Sequence, residues 1–105
     1  MQVVKIKRVP DIDKSYYKIT KMFCDKCNKE IQENNEYLEV CYHKERYDDE
    51  LLYKHFCKKC MKDSMYSMFI DNYYTDFDRY TFQKSRDWEE FKEYDAERYG
   101  FKEED

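Results

Sequence analysis

Two cysteine pairs constrain the fold of this chain more than any other feature. Cys24 and Cys27 form the first pair, and Cys57 and Cys60 form the second, each with the spacing C-x-x-C. Two intervening residues let the backbone turn so that both sulfur atoms face one point, and two such pairs supply the corners of a tetrahedral metal site. The spacing therefore predicts that these four cysteines bind one structural zinc ion.

Other chemistries use the same spacing. Disulfides, a redox-active dithiol and an iron–sulfur cluster are the alternatives, and the 29 residues between the pairs exceed the roughly 15 to 20 of the common zinc template. The chain has five cysteines, an odd number, and shows no secretory leader. These features favour a reducing cytoplasm, where disulfides are rare, and a thioredoxin-like site needs a single pair in a βαβ context. Zinc is therefore the favoured interpretation.

The residues that flank the two pairs indicate a fold class. Asn28 follows Cys27 and tolerates the left-handed backbone conformation of a metal-binding knuckle. After Cys60, apolar residues recur at helical spacing, which predicts a helix at roughly 58–71 whose dipole favours thiolate charge. A knuckle, a hairpin and a helix that carries the last ligand resemble a treble clef. We therefore expect a zinc-stapled, treble-clef-like α+β domain.

Four further elements complete this expectation. Alternating apolar residues predict an N-terminal β-hairpin and a second hairpin, and a short strand is predicted later in the chain. A second helix is predicted to begin at Ser85 or Asp87 and to end at Gly100, with aromatic residues along one side. The predicted strands are 3–9 and 16–23 in the first hairpin, 37–43 and 51–56 in the second, and 79–84.

We expect one domain, because 105 residues are the length of a single small domain. It divides into a basic hairpin at 1–23, a zinc module at 24–71 and an acidic, aromatic C-terminal extension at 72–105. Residues 1–30 carry eight Lys/Arg and four Asp/Glu, so this segment is basic. Residues 63–105 carry six Lys/Arg and thirteen Asp/Glu, so this segment is acidic. No apolar run approaches the length of a membrane span, so we expect a soluble, cytoplasmic protein.

Catalysis is not expected. Residues 58–105 contain no histidine, which excludes the His-Asn-His nuclease arrangement that some treble clefs carry on their helix. The chain also has no G-x-S-x-G motif and no phosphate-binding loop. A site closed by four cysteines leaves no open position for a water molecule.

Three other residues are candidate ligands. Cys41 is the fifth cysteine, and the favoured interpretation is a buried free thiol, which is common in proteins. Cys41 and His43 could instead contribute to a second metal site, but two further well-spaced ligands are lacking. His55 could replace a thiolate only if one of the four cysteines turned away.

Two binding functions are compatible with the charge pattern. In the first, the acidic and aromatic C-terminal segment docks onto a basic groove of another protein, one that itself binds nucleic acid. In the second, the alternative, the basic first hairpin with Lys5, Lys7 and Arg8 binds nucleic acid, although the net charge of −4 counts against it. The aromatic residues could also simply form the core. The predicted protein-binding residues are Asp71, Tyr73, Tyr74, Asp76, Phe77, Asp78 and Tyr80.

The segments around the cysteine pairs, residues 23–31 and 55–60, resemble small zinc-ribbon or treble-clef proteins of phages and other mobile elements. The resemblance covers roughly residues 22–62 and is specific for metal binding. Small acidic proteins of that origin often inhibit host factors, including nucleic-acid-binding defence enzymes, by placing carboxylates where phosphates would bind. The resemblance therefore implies an inhibitor, for example one with an anti-CRISPR-like role.

Overall fold

The chain folds mainly as β-structure. The computed structural model describes residues 1–43, 51–63, 75–96 and 98–104, and within these ranges it contains two β-sheets and one helical segment, α1 (58–63). The strands are β1 (Gln2–Val9), β2 (Lys14–Phe23), β3 (Glu30–Ile31), β4 (Glu36–His43), β5 (Leu51–Cys57), β6 (Thr75–Thr81), β7 (Glu89–Phe91) and β8 (Phe101–Glu103).

The first sheet is built on the N-terminal hairpin, which confirms that prediction. Strands β1 and β2 pair antiparallel, joined by a 3₁₀ turn at Pro10–Ile12 and by Asp13 in the left-handed conformation, with φ 49°. Proline fixes its own φ for the turn, and aspartate tolerates positive φ. Strand β8 then adds to β1 in parallel, while β3 and β7 both pair with the other edge of β2.

The second sheet has the strand order β5-β4-β6, with antiparallel pairing throughout. The predicted second hairpin is therefore confirmed, and its register places Leu38 opposite Phe56. The observed β6 runs from Thr75 to Thr81, so it begins four residues earlier and ends three residues earlier than the short strand predicted at 79–84. Leu38 and Val40 lie on one face of the sheet and Glu39 on the other, because side chains alternate along a strand.

The main hydrophobic core lies where the second sheet meets the end of β2 and the start of α1. Its members are all buried; Cys24 is one of them, and Cys57 and Cys60 pack against it. Burial of these side chains removes apolar area from water, which is the main favourable contribution to folding in a chain this short. The core consists of Met22, Cys24, Ile31, Tyr37, Leu38, Val40, Phe56, Met61 and Phe82.

The predicted α+β class with two helices is wrong, because the described residues form two sheets and one short helical segment. The first predicted helix begins as expected at 58–63, and its remainder, 64–71, lies outside the described residues. The second predicted helix is replaced by strand β7, a 3₁₀ turn at Glu93–Asp95 and strand β8.

Backbone pairing and ring packing explain why this C-terminal segment is extended. The edge of β2 accepts Glu89–Phe91 as a strand, with Phe91 opposite Ser15. Phe91 and Phe101 then both pack against Tyr17, with ring centroids 5.5 and 4.8 Å away. The aromatic residues that fit a helical spacing in the sequence therefore lie on two strands joined by a turn. Gly100 ends this turn just before β8 and adopts a positive φ of 67°, which glycine tolerates.

Candidate metal centre

The first cysteine pair lies in a tight turn directly after β2. Asn28 N–H donates to the carbonyl oxygen of Cys24 at 3.0 Å, and Cys24 N–H donates to the carbonyl of Lys29 at 2.9 Å. Asn28 has a φ of 61°, so it adopts the left-handed conformation predicted for it. These bonds fold residues 24–29 into a knuckle that directs Cys24 and Cys27 to the same side.

The second pair lies at the junction of β5 and α1. Cys57 is the last residue of β5, and Cys60 lies in the first turn of α1. A strand that passes directly into a helix changes the chain direction within one turn, which brings Cys60 back beside Cys57. The predicted helix is therefore confirmed at its start, with Cys60 in its first turn, whereas Cys57 belongs to β5.

The four thiols form one cluster. Their sulfur atoms all lie within 4.8 Å of one another, and the Sγ atoms of Cys27 and Cys57 are 3.8 Å apart. Four sulfur atoms at the ~2.3 Å zinc–sulfur distance form a tetrahedron with edges of about 3.8 Å. A disulfide needs about 2.05 Å between sulfur atoms, and all four cysteines are free thiols. The cluster therefore has the dimensions of a metal site.

Hydrogen bonds prepare one of these thiols to carry negative charge. Burial raises the pKa of the Cys24 thiol, but backbone amides of Cys27, Cys57 and Lys26 outweigh burial and lower this pKa to about 7. Burial raises the pKa of the Cys60 thiol to about 12, and its hydrogen bonds to the neighbouring thiols act in the same direction. Amides directed at sulfur stabilise a thiolate, which is the form that binds metal.

Asp25, the residue after the first cysteine, ties the knuckle to the rest of the molecule. Its carboxylate accepts a hydrogen bond from the backbone N–H of His55 at 2.7 Å and another from the amino group of Met1 at 3.0 Å. Its own N–H donates to the carbonyl of His55 at 2.8 Å. Sequence reasoning missed this role, and the only available signal was an acidic residue inside the first C-x-x-C pair.

The other candidate ligands lie away from the cluster. The His55 ring is 1% exposed, and its Nε2 lies 3.3 Å from Glu39 Oε2. Cys41 lies on β4 opposite Tyr53 and is half-buried. Burial is the largest of the influences that raise the pKa of the Cys41 thiol, as expected for an inert free thiol. The side chain of His43 lies outside the described residues, and among those described only the four cysteines form a metal-binding group.

The predicted protein-binding residues fall into three groups. Asp71, Tyr73 and Tyr74 lie outside the described residues. Asp76, Asp78 and Tyr80 alternate along β6 and are exposed. Phe77 points to the opposite face and packs against the hydrophobic core.

The three basic residues predicted to bind nucleic acid on the first hairpin do not lie on one surface. Lys5 and Lys7 alternate with Arg8 along β1, so Arg8 points to the opposite face of the sheet. There its guanidinium pairs with Glu93 at 2.7 Å and with Glu103 at 3.2 Å. Arg8 is therefore engaged within the molecule.

No family model, no curated protein and no solved structure matches this chain. Of the resemblance to small zinc-binding proteins, the cysteine cluster is the part that the structure supports. No helix in the described ranges has the length and apolar character needed to cross a membrane.

Proposed function

We propose that the metal is zinc and that its role is structural. Four sulfur ligands favour zinc over magnesium or calcium, which prefer oxygen. Four protein ligands also close the coordination sphere, as in structural zinc sites. The cluster lies between β2 of the first sheet and β5 of the second, where one ion would link both sheets.

Elemental analysis of the purified protein tests this proposal, with one equivalent of zinc per chain as the expected result. Cys24→Ser should lose the metal, whereas Cys41→Ser, the matched control, should retain it. Cobalt substitution should give the absorption bands of a tetrahedral tetrathiolate. Iron in place of zinc would refute the identity of the metal, and equal metal loss in both variants would refute the ligand set.

We propose further that the protein is a binding module whose contact surface is the acidic β6 face, defined as Asp76, Asp78 and Tyr80. Both aspartates are exposed, and Tyr80 is 46% exposed. Neither aspartate forms an ion pair with a cation in the described part of the chain. The carboxylate of Asp78 is the largest influence that raises the pKa of the Tyr80 hydroxyl, which reflects a negative local potential. The observation that carries this proposal is a negatively charged strand with an exposed ring.

Other acids of the C-terminal segment are already used within the molecule. Glu93 and Glu103 bind Arg8, and Glu90 binds Lys14 at 3.3 Å. Glu93 and Glu103, which share the Arg8 guanidinium, are therefore less available to a partner. The acidic β6 face is therefore the better candidate for steering a basic partner, and a protein groove that normally binds nucleic-acid phosphates has the complementary charge.

A pull-down from cell extract with zinc-loaded protein identifies candidate partners, and binding kinetics then test the surface. Asp76→Lys with Asp78→Lys should slow association and weaken its salt dependence, while Tyr80→Ala should mainly speed dissociation. Asp87→Lys is the matched control, since Asp87 is exposed and lies outside this face. A partner that binds all variants equally would place the contact elsewhere.

A second candidate function, binding of single-stranded nucleic acid, is favoured by the outer face of the first sheet. We define the lysine face as Lys5, Lys7, Lys18, Lys21, Tyr16 and Trp88. Its lysines form no ion pair with an acid among the residues that the structure describes. The ammonium groups of Lys7 and Lys18 lie 5.9 and 4.7 Å from the centre of the Trp88 ring. Exposed aromatic rings among cations are typical of surfaces that stack bases.

Trp88 is the single tryptophan, so its fluorescence reports directly on this face. Titration with oligothymidylate should quench it with a strong salt dependence if the second function holds. Lys7→Glu with Lys18→Glu should abolish the effect, whereas Arg79→Glu with Lys84→Glu, at two exposed positions outside the lysine face, should preserve it. Unchanged fluorescence at low salt would exclude this candidate.

A further inference from the structure

A cleft between the two sheets is walled by aromatic rings. Its volume is about 510 Å³, within the range of small-molecule sites. The rings follow one another in contact, with centroid separations of 4.9, 5.6, 4.8 and 5.5 Å. In that order, the wall consists of Tyr53, Tyr99, Phe101, Tyr17 and Phe91.

Carboxylates share the cleft with these rings. Glu39, Glu90 and Asp95 line it, and Lys92 is the one lysine or arginine in the lining. The ammonium of Lys92 lies 5.8 Å from the centre of the Tyr94 ring, which is outside the lining. The chemistry presented to a ligand is therefore aromatic and acidic.

Two of these carboxylates have cationic neighbours outside the lining. Glu90 is 3.3 Å from the ammonium of Lys14, and Asp95 is 3.7 Å from the guanidinium of Arg98. The Lys14–Glu90 pair is solvent-exposed and of the kind that contributes little free energy, whereas Asp95 and Arg98 are half-buried. A cation that enters the cleft can therefore share the Glu90 carboxylate at small cost.

One residue that lines the cleft, His55, is a buried polar group with unused hydrogen-bonding capacity. His55 is 1% exposed, and its Nδ1 has no hydrogen-bond partner in the described part of the chain. Buried polar atoms are normally satisfied, so an unpartnered one on a residue that lines a cleft points to a water or ligand position. Nε2 of the same ring lies 3.3 Å from Glu39 Oε2, so Nδ1 is the ring nitrogen that stays open to a ligand.

We propose that the cleft binds an alkylated ammonium group. The faces of aromatic rings attract cations, and rings combined with carboxylates are the chemistry that recognises quaternary ammonium ligands. A neutral ligand of the same shape would bury the same apolar area, but it would gain neither the cation–π attraction of the rings nor the attraction of the carboxylates. The proposal does not depend on the acidic β6 face or on the lysine face, because the residues that line the cleft belong to neither surface.

Nuclear magnetic resonance titration of the zinc-loaded protein tests the proposal. Choline is the cationic probe, and 3,3-dimethylbutan-1-ol is its uncharged isostere. Choline should shift the amide signals of Tyr53, Phe91 and Phe101 in a saturable manner and should bind about two to thirty times more tightly than the alcohol. A trimethyl-lysine tripeptide serves as a third probe. Comparing its affinity with that of choline distinguishes a methylated protein side chain from a free small molecule as the source of the ammonium group.

Two exposed positions provide variants that should leave the fold intact. Tyr99→Leu removes a ring from the wall, and Glu90→Gln removes a charge, so each should weaken choline binding severalfold. Tyr94→Leu is the control, because Tyr94 is exposed and does not line the cleft. Equal affinity for choline and the neutral alcohol, or the absence of saturable shifts with all three probes, would overturn the proposal.

Discussion

Asp25 is the residue at which the metal-binding knuckle, β5 and the amino group of Met1 meet. Its carboxylate accepts the backbone N–H of His55, whose side chain is buried, and the Met1 ammonium. Asp25→Ala leaves that N–H without this acceptor, so we expect a loss of about 1–3 kcal/mol in the free energy of unfolding. Denaturant unfolding of the zinc-loaded variant measures the loss.

Two further variants distinguish hydrogen bonding from a general effect of substitution. Asp25→Asn keeps an oxygen acceptor and should recover part of the stability, whereas Asp87→Ala should cost little because Asp87 is exposed. If Asp25→Ala is as stable as Asp87→Ala, the carboxylate does not hold the knuckle to β5.

At the residue scale, the sequence predicted what depends on local spacing. The four cysteines and the left-handed Asn28 follow from the C-x-x-C spacing and from backbone sterics. The hydrogen-bond partners of Asp25 could not be predicted from the sequence, because His55 is thirty residues away and a backbone N–H has no sequence signature. Arg8 was also assigned to the wrong surface, since its acidic partners come from the other end of the chain.

At the element scale, strand pairing decides where hydrophobic periodicity is ambiguous. Both hairpins were predicted correctly because short connections favour pairing between consecutive strands. The C-terminal segment was assigned to a helix because its aromatic spacing fits one. Its actual partners, β2 and β1, precede it by more than seventy residues. Such non-local pairing leaves no periodic signal in the segment itself.

Glu93 holds this C-terminal segment against the first sheet. Its carboxylate accepts a hydrogen bond from the Ser15 hydroxyl at 2.8 Å and pairs with Arg8. The hydrogen bond from Ser15 is the largest influence on the pKa of the Glu93 carboxyl. Together with Arg8, it outweighs the effect of burial and lowers this pKa. Glu93→Gln should therefore reduce hydrogen-exchange protection of the β8 amides at neutral pH.

The sign of the pH dependence follows from that lowered pKa. The native state favours ionised Glu93, so its contribution to stability is present above the pKa of the unfolded chain and is lost as pH falls through the folded value. The difference in β8 protection between wild type and Glu93→Gln should accordingly shrink on acidification, while the control Glu33→Gln should match wild type throughout. Equal protection in wild type and Glu93→Gln at neutral pH would contradict the role assigned to Glu93.

At the scale of the whole molecule, the charge asymmetry of the sequence does not become two separate poles. Basic residues of the first hairpin and acidic residues of the last segment pair across the first sheet, as Arg8 does with Glu93 and Lys14 does with Glu90. The charges that form no ion pair among the described residues include those of the lysine face on the first sheet and of the acidic β6 face on the second. The net charge of −4 alone is therefore a poor guide to the local potential that a charged partner would meet.

Metal removal should unfold both sheets together. The cysteine cluster joins the end of β2 to the end of β5, and Cys24 is itself part of the hydrophobic core. Structural zinc contributes about 10–16 kcal/mol in small zinc-binding peptides, whereas whole domains are stable by only about 5–15 kcal/mol. A strong chelator should therefore abolish near-ultraviolet circular dichroism and amide protection in β1, β2, β4 and β5, and added zinc should restore both. Cys41→Ser should respond as wild type does, and a chelated protein that retains its protected β-strands would show that the metal is dispensable for the fold.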